Sequence, residues 1–223
     1  EFGYKDIVKL FKAENWDPDR WATLFKAAGA RYVVLTAEHH DGYALWDSDL
    51  TDWCATKVGP IRDLVGDLGK AVRAKGLKYA PSYHRERHNG FFARDIYKVN
   101  SVPRLDIEEE IKRDPDAVGL YGPFSYTDEF ITDYSLRWKE LQDKYQPDFM
   151  WIDDIPIFYK DVGLSHPQAC KFRDSFQPLI ANYFNAAQAW GKDVYLNDKG
   201  GHLNWPEGIG CREKDNLKMD KIG

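Results

Sequence analysis

The stretch YVVLTAEHHDGY, residues 32–43, joins a short apolar run to a group of histidine and acidic residues. Its first part, Tyr32 to Thr36, is rich in β-branched residues, too short for a helix and apolar on both faces. Such a run is typical of a strand that is buried on both sides in a parallel sheet. The polar residues that follow would then lie at the carboxyl end of that strand.

The same alternation of elements extends along the chain. Before the strand, Trp21, Leu24, Phe25 and Ala28 share one helical stripe, and Gly29 is placed to end the helix. After it, the pattern predicts helices over 63–75, around 130–141 and over about 166–190, and strands over 77–80, 148–153 and 194–197. Helices and strands that alternate in this way indicate βαβ units and a parallel sheet.

The pattern alone leaves a closed barrel and a doubly wound sheet open. No glycine-rich phosphate loop follows any of these strands, which weakens a nucleotide-binding interpretation. Polar residues rich in histidine and aspartate follow the strand ends, where barrel enzymes hold their chemistry. Because about four strands are visible and a closed barrel has eight, we expect residues 1–223 to be one catalytic (β/α)-barrel domain, truncated at both ends.

Composition excludes several classes of partner. The formal net charge is −5, from 31 basic and 36 acidic residues, whereas a nucleic-acid partner needs a concentrated basic surface. There is no transmembrane run, and no signal-peptide pattern opens the chain. The three cysteines lack metal-ligand spacing. Aromatic residues make up 15% of the chain, with 8 Trp and 13 Tyr, which suits stacking on sugars as well as packing of a core.

Two groups of residues after the strands are candidates for chemistry. His39, His40 and Asp41 could ligate a metal or hydrogen-bond a polyhydroxy ligand; alternatively, Asp41 only caps a turn. Asp153 and Asp154 follow a strand that carries Trp151, and glycoside hydrolysis needs two carboxyl groups astride the scissile bond. Their structural alternative is capping of the following turn.

Weaker candidates lie after the second and fourth strands. His84, Arg85 and His88 are placed to line a cleft, but exposed loop residues would have the same pattern. The charged stretch 210–215 contains Glu213, and charged loops are usually solvated.

Together, these stretches resemble family 29 α-L-fucosidases. The run EHHDGYALWDS, residues 38–48, is similar to the family block KHHDGF-x-LW-(D/P)-(S/T), and GPIRDLVGDL, residues 59–68, is similar to GPKRDLVGEL. Residues 21–34 fit the segment W-x-x-L-x-K-x-AGAKYxV. The end of the third strand, 151–153, resembles the motif LW-x-D, and Asn197-Asp198 resembles the turn ND(R).

The resemblance implies a retaining exo-α-L-fucosidase that acts on fucosylated oligosaccharides or glycoconjugates, with no metal or organic cofactor. It implies Asp153 as the nucleophile and Glu213 as the acid/base, with Glu207 as its rival. The substrate-binding residues it implies are His39, His40, Trp46, Tyr83, Trp151 and Lys199. Family habit further implies a secreted, periplasmic or lysosomal location.

Three departures keep two alternatives open. Ser82 stands where the family has its active-site tyrosine, Lys199 replaces an arginine, and the family's first strand with a further histidine is not visible. One alternative is a non-catalytic fucose- or glycan-binding barrel protein. The other is a metal-dependent barrel enzyme that uses the His-His-Asp cluster at 39–41.

Overall fold

The structure, a computed structural model, describes residues 3–86, 88, 114, 116, 118–123, 127–153, 167–199 and 208–211. In this part of the chain helices and strands follow one another in the order α1 (Tyr4–Leu10), α2 (Pro18–Ala27), β1 (Tyr32–Glu38), α3 (Leu64–Ala74), β2 (Lys78–Tyr83), α4 (Val118–Tyr121), α5 (Asp128–Tyr145), β3 (Phe149–Ile152), α6 (Pro167–Trp190), β4 (Tyr195–Lys199) and β5 (Gly208–Cys211). None of the described helices has the length and apolar run needed to cross a bilayer.

The five strands form one parallel sheet in the order β1-β2-β3-β4-β5. In the register, Ser82 lies opposite Trp151, which in turn lies opposite Asn197. The predicted parallel α/β architecture is therefore confirmed. The strand order never reverses direction among the described strands, so this part of the sheet has no switch point of the kind that defines a doubly wound fold.

Strand β5 lies in a stretch that the sequence pattern assigned to a charged loop. Two of its four residues are glycines, which are depleted in strands and weaken the pattern. Its pairing with β4, from Leu196 opposite Gly208 to Lys199 opposite Cys211, is set by the neighbouring strand. The strand count read from the pattern was therefore too low.

The main core lies where α3, α5 and α6 pack on the sheet. The predicted stripes of these helices are buried, except for Phe184 on α6, which is half-buried. The buried residues are Leu64, Val65, Leu68 and Val72 on α3; Phe130, Ile131, Tyr134, Trp138 and Leu141 on α5; Phe172, Phe176, Leu179, Ile180 and Tyr183 on α6. Their rings meet mostly edge-on, as between Tyr134 and Phe172, whose centroids are 4.9 Å apart. These helices hold the carboxyl ends of the strands in place.

Helix α2 and strand β1 depart from the prediction. Trp21 and Leu24 are 40% and 65% exposed, and the residue that α2 buries is Ala22. In β1, Tyr32 is 57% exposed, whereas burial on both faces was predicted. Both elements lie at one edge of the described sheet, where β1 pairs only with β2 and α2 packs against α3. An apolar pattern marks a surface that can be covered, and the described residues cover this one only in part.

Candidate active site

The carboxyl ends of β1, β2 and β3 bring a carboxylate and two imidazoles together. Asp153 directly follows β3 and His84 directly follows β2, and His84 Nδ1 lies 3.1 Å from Asp153 Oδ2. The side chains are 13% and 12% exposed. His39, just after β1, stacks on His84 with a centroid distance of 5.0 Å and an interplanar angle of 30°. The structure thus brings these three residues, which follow three different strands, together at one edge of the sheet.

The two adjacent histidines have different environments. His39 is exposed, whereas His40 is 5% exposed and its ring centroid lies 4.3 Å from that of His39. Gly42 then turns the chain with a φ of +83°. A Cβ at this position would collide with the carbonyl oxygen of Leu120 and lie 2.9 Å from His88 Cε1, so the turn requires glycine.

Asp41 is bound to the amino-terminal helix. Its carboxylate accepts a hydrogen bond from the hydroxyl of Tyr4 on α1. Burial raises the pKa of Asp41 to about 6, although the hydrogen bond from Tyr4 acts in the opposite direction. No group of three or more His, Cys, Asp or Glu side chains in the described part of the chain is arranged to hold a metal ion. Among these residues the structure therefore shows no set of donor atoms that a metal-dependent enzyme could use.

Glu38 and Arg85, the chain neighbours of His39 and His84, belong to a network of four charged side chains. Glu38 receives Arg85 Nη1 at 2.5 Å on one oxygen and Arg137 Nη1 at 3.2 Å on the other. Both arginines also bind Asp133, at 2.8 Å and 3.1 Å. Burial disfavours the charge on Arg137, but Glu38 and Asp133 outweigh it and raise the pKa of its guanidinium.

This charge network links β1, the turn after β2 and helix α5. Its two positive and two negative charges balance, and Glu38 and Arg85 are fully buried. Glu38, Asp133 and Arg137 could not be recognised as a unit from the sequence, because the partners lie up to 99 residues apart. The sequence held one indication of this network: Glu38 stands where the similar family block begins with lysine.

Ser82 joins the cluster, whereas its neighbour Tyr83 does not. The hydroxyl of Ser82 is hydrogen-bonded to His84 Nε2. Tyr83 is fully buried, and its ring packs against that of Tyr134 with a centroid distance of 4.9 Å. Because side chains alternate along a strand, the two neighbours face opposite sides of the sheet. Contact of Tyr83 with a sugar, which the resemblance implied, is not supported by this position.

Trp46 likewise belongs to the core. It is fully buried, and its indole N–H donates to Glu140 Oε2 at 2.7 Å. Trp151 has the placement that was expected of it: it is half-buried, pairs with Ser82 in the register and precedes Asp153 by two positions. Because strand side chains alternate, Trp151 faces the same side as Ser82.

Several predicted site residues lie outside the described residues. Glu207, Glu213 and Asp154 belong to this group. For Lys199 the structure describes the backbone, which ends β4 opposite Cys211. The assignment of the acid/base and the role of the Lys199 side chain therefore stay predictions.

Comparison with known proteins identifies similar chains. A family model described as "Alpha-L-fucosidase" matches residues 1–220. The tissue α-L-fucosidase of Bos taurus is 35% identical over 192 residues, which cover 80% of this chain and 40% of the bovine protein.

Solved structures are similar over most of this chain. The Thermotoga maritima α-fucosidase in complex with fucose is 34% identical, has a TM-score of 0.59, and is matched over 89% of this chain and 39% of that one. A structure of Thermotoga maritima α-fucosidase in complex with a mechanism-based inhibitor is 33% identical, with a TM-score of 0.60 and coverage of 89% and 38%. The chain thus spans about two fifths of the length of these relatives.

Proposed function

The chain belongs to the α-L-fucosidase family, glycoside hydrolase family 29, and from this we propose that its protein is a retaining exo-α-L-fucosidase. It releases terminal α-L-fucose from oligosaccharides or glycoconjugates. The observation that carries the proposal is the carboxylate of Asp153 at the end of β3, beside His84 and within one cluster with His39. Family membership supports the reaction class, and this cluster supports the proposed location of the active site in the chain.

The proposed reaction is a double displacement. Asp153 attacks C1 of fucose while Glu213, or its rival Glu207, protonates the departing glycosidic oxygen. A fucosyl ester of Asp153 forms and the aglycone leaves as an alcohol. The same acid, now a carboxylate, takes a proton from water, which attacks C1 and frees Asp153, so that configuration is retained. Retaining enzymes hold the two carboxyl groups about 5–5.5 Å apart.

The substrate pocket is proposed at the same strand ends. His39 is exposed and can hydrogen-bond ring hydroxyls, and His40 supports it from the protein side. Trp151 supplies an apolar wall, and Lys199 a cationic donor. The reaction needs no metal or organic cofactor, because both catalytic groups are carboxyl groups.

The complete fold is proposed to be a (β/α)8 barrel, of which residues 1–223 form part. A sheet whose parallel strands follow one another in chain order is what such a barrel requires. Tyr32 and Tyr195 are 57% and 52% exposed, so the described residues cover these large aromatic side chains of β1 and β4 only in part. We further propose a secreted, periplasmic or lysosomal location, where glycans of this kind occur.

Replacement of Asp153 by glycine tests the activity. In the full-length protein, Asp153→Gly should lower turnover of an aryl α-L-fucoside by at least about 10³-fold, because the covalent step loses its nucleophile. Asp174→Asn, in an exposed ion pair on α6, is the matched control and should turn over normally. Near-normal turnover by Asp153→Gly would exclude this residue.

Azide rescue separates the two carboxyl roles. With the nucleophile removed, azide attacks C1 directly and should give a fucosyl azide of inverted configuration. In Glu213→Ala, azide instead attacks the fucosyl-enzyme and should give the retained product. Rescue in Glu207→Ala but not in Glu213→Ala would transfer the acid/base role to Glu207.

A further inference from the structure

We propose that helix α1 braces the proposed fucose-binding histidines, and that the hydrogen bond from Tyr4 to Asp41 transmits this brace. Tyr4 and Asp41 are thus positioning residues for His39 and His40. This inference rests on the proposed function, because it takes the two histidines as groups that bind ring hydroxyls. It assigns a role to an element that lies outside the family motifs quoted above.

The two histidines and Asp41 belong to one closed turn. The backbone N–H of Gly42 donates to the carbonyl oxygen of His39 at 3.3 Å, so this bond spans His40 and Asp41. The turn also lies directly against the carbonyl oxygen of Leu120 on α4. Because the residues of a turn share a few backbone dihedral angles, a displacement of Asp41 also displaces the two histidines.

The side chain of Asp41 is fixed from outside this turn. Tyr4 lies 37 positions earlier in the chain, and its hydroxyl donates to Asp41 Oδ2. Burial and the negative charge of Asp41 both raise the pKa of Tyr4, so the hydroxyl keeps its proton and stays a donor. The contact therefore joins two separate elements, which goes beyond the local capping of a turn.

Helix α1 is anchored without this hydroxyl. Val8, in its last turn, is 3% exposed and belongs to a core cluster with Trp53. The same turn approaches Gly59 so closely that a Cβ there would lie 3.0 Å from the carbonyl oxygen of Val8. Because packing already holds the helix, what the hydroxyl of Tyr4 adds is a restraint on Asp41.

The electrostatic surroundings of Asp41 explain why this restraint matters. Burial raises the pKa of Asp41, the hydrogen bond from Tyr4 lowers it, Glu38 raises it and Arg85 lowers it. Without Tyr4, a half-buried carboxylate would be left short of a donor, which favours rearrangement of the turn. A binding site has to hold its side chains within about 0.5 Å, so a rearranged turn should weaken fucose binding.

The test removes single hydroxyl groups in the full-length protein. Tyr4→Phe should raise the Kd of fucose, measured by isothermal titration calorimetry, and the KM for an aryl α-L-fucoside by about 5–20-fold. The value of kcat should stay within about threefold, because the lost restraint acts on binding of substrate and transition state alike.

Tyr43→Phe is the matched control. Tyr43 belongs to the same core cluster, and its hydroxyl donates to the carbonyl oxygen of Val58 at 2.6 Å, away from the histidine turn. The similar family block has phenylalanine at this position. We expect Kd and KM to stay within about twofold of the wild-type values, although a tyrosine hydrogen bond is lost here too.

Variants at position 41 show whether Tyr4 acts through Asp41. The double variant Tyr4→Phe/Asp41→Ala should bind fucose no more weakly than Asp41→Ala alone, whereas independent effects would multiply. Asp41→Asn keeps an oxygen that can accept from Tyr4, so its Kd should stay within about threefold of wild type. A merely structural role would lower the folded fraction, and with it kcat, but would leave the Kd of the folded protein unchanged.

Three results would overturn the brace: wild-type Kd and KM in Tyr4→Phe, an equal rise in Tyr43→Phe, or multiplied losses in the double variant. Wild-type affinity in Asp41→Ala would overturn it independently of any variant at Tyr4. If the wild-type protein binds and hydrolyses the fucoside and Tyr4→Phe behaves in the same way, only this inference fails. If the wild-type protein neither binds fucose nor hydrolyses the fucoside, the proposed function fails and this inference with it.

Discussion

At the scale of single residues, the buried charge network is the least replaceable part of the site. Glu38 is the carboxylate that both arginines share with Asp133, and it is fully buried. Breaking a buried ion pair by neutralising one partner costs about 3–5 kcal/mol, because the other charge is left without compensation in a poorly solvating interior. We therefore expect the network to affect the stability of the strand ends more than the reaction itself.

Neutralising Glu38 measures this contribution. Glu38→Gln in the full-length protein should lower the free energy of unfolding by about 3–5 kcal/mol, because Arg85 and Arg137 then share one carboxylate. Asp143→Asn, in the exposed i,i+4 pair with Lys139, is the matched control and should change it by no more than about 0.5 kcal/mol. Urea unfolding checks both values, and equal effects would contradict a stabilising network.

Single-residue roles were predictable where strand ends decide them. Because the carboxyl ends of parallel strands meet at one edge, His39 and Asp153 could be placed together from the sequence. Trp46 and Tyr83 could not be placed in the same way, since α5 buries both: Trp46 through Glu140 and Tyr83 through the ring of Tyr134. Contacts between segments so far apart leave no periodic trace in either segment.

At the scale of elements, α3 shows how closely a helix can approach the sheet. Gly69 lies on its buried face, and an added Cβ would be 2.8 Å from Cε1 of Tyr79. Tyr79 cannot easily yield, because its ring is fully buried and its hydroxyl donates to the carbonyl oxygen of Val65 at 2.9 Å. Glycine here serves packing, at the expense of helix propensity.

Alanine at position 69 would improve helix propensity but would crowd the contact with Tyr79. Gly69→Ala gains up to about 1 kcal/mol in helix propensity but overpacks the interface by about 1–3 kcal/mol, so we expect a net loss of stability. Lys70→Ala, on the exposed face of the same helix, has no such clash and should be close to neutral. Thermal unfolding followed by circular dichroism compares them; a higher Tm for Gly69→Ala would contradict the close contact.

Whether an element could be predicted depended on how it is stabilised. Helices α3, α5 and α6 bury a stripe that recurs every three to four residues, so their sequences record it. Strand β5, with its two glycines, has no such record and depends on pairing with β4. For α2, the predicted apolar stripe is largely exposed at Trp21 and Leu24, and the described residues supply no layer that covers it.

At the scale of the whole molecule, the proposed closure of the barrel leads to a prediction about aromatic side chains at the amino ends of the strands. Tyr32 packs edge-on against Phe149 with a centroid distance of 5.3 Å, yet more than half of Tyr32 is exposed. More than half of Tyr195 on β4 is exposed as well. Further strands in the proposed barrel would cover this face and turn both tyrosines into core residues.

Truncation of these tyrosines in the full-length protein tests the closure. Tyr32→Ala and Tyr195→Ala should each lower the free energy of unfolding by about 3–5 kcal/mol, as for buried aromatic residues. Leu136→Ala on α5, where Leu136 is 48% exposed, is the control and should stay within about 0.5 kcal/mol. Near-neutral results at both tyrosines in urea titrations would mean that the face stays open.

The strand order has a consequence for how the protein is made. Each of the described strands β2 to β5 pairs with the strand translated just before it, so each finds its docking edge already in place when it emerges from the ribosome. The sheet can therefore assemble one strand at a time, and no early strand has to wait unpaired for a strand that is translated much later. Until the next unit emerges, the outer edge of the newest strand has no partner, and protection during synthesis is needed at that moving edge.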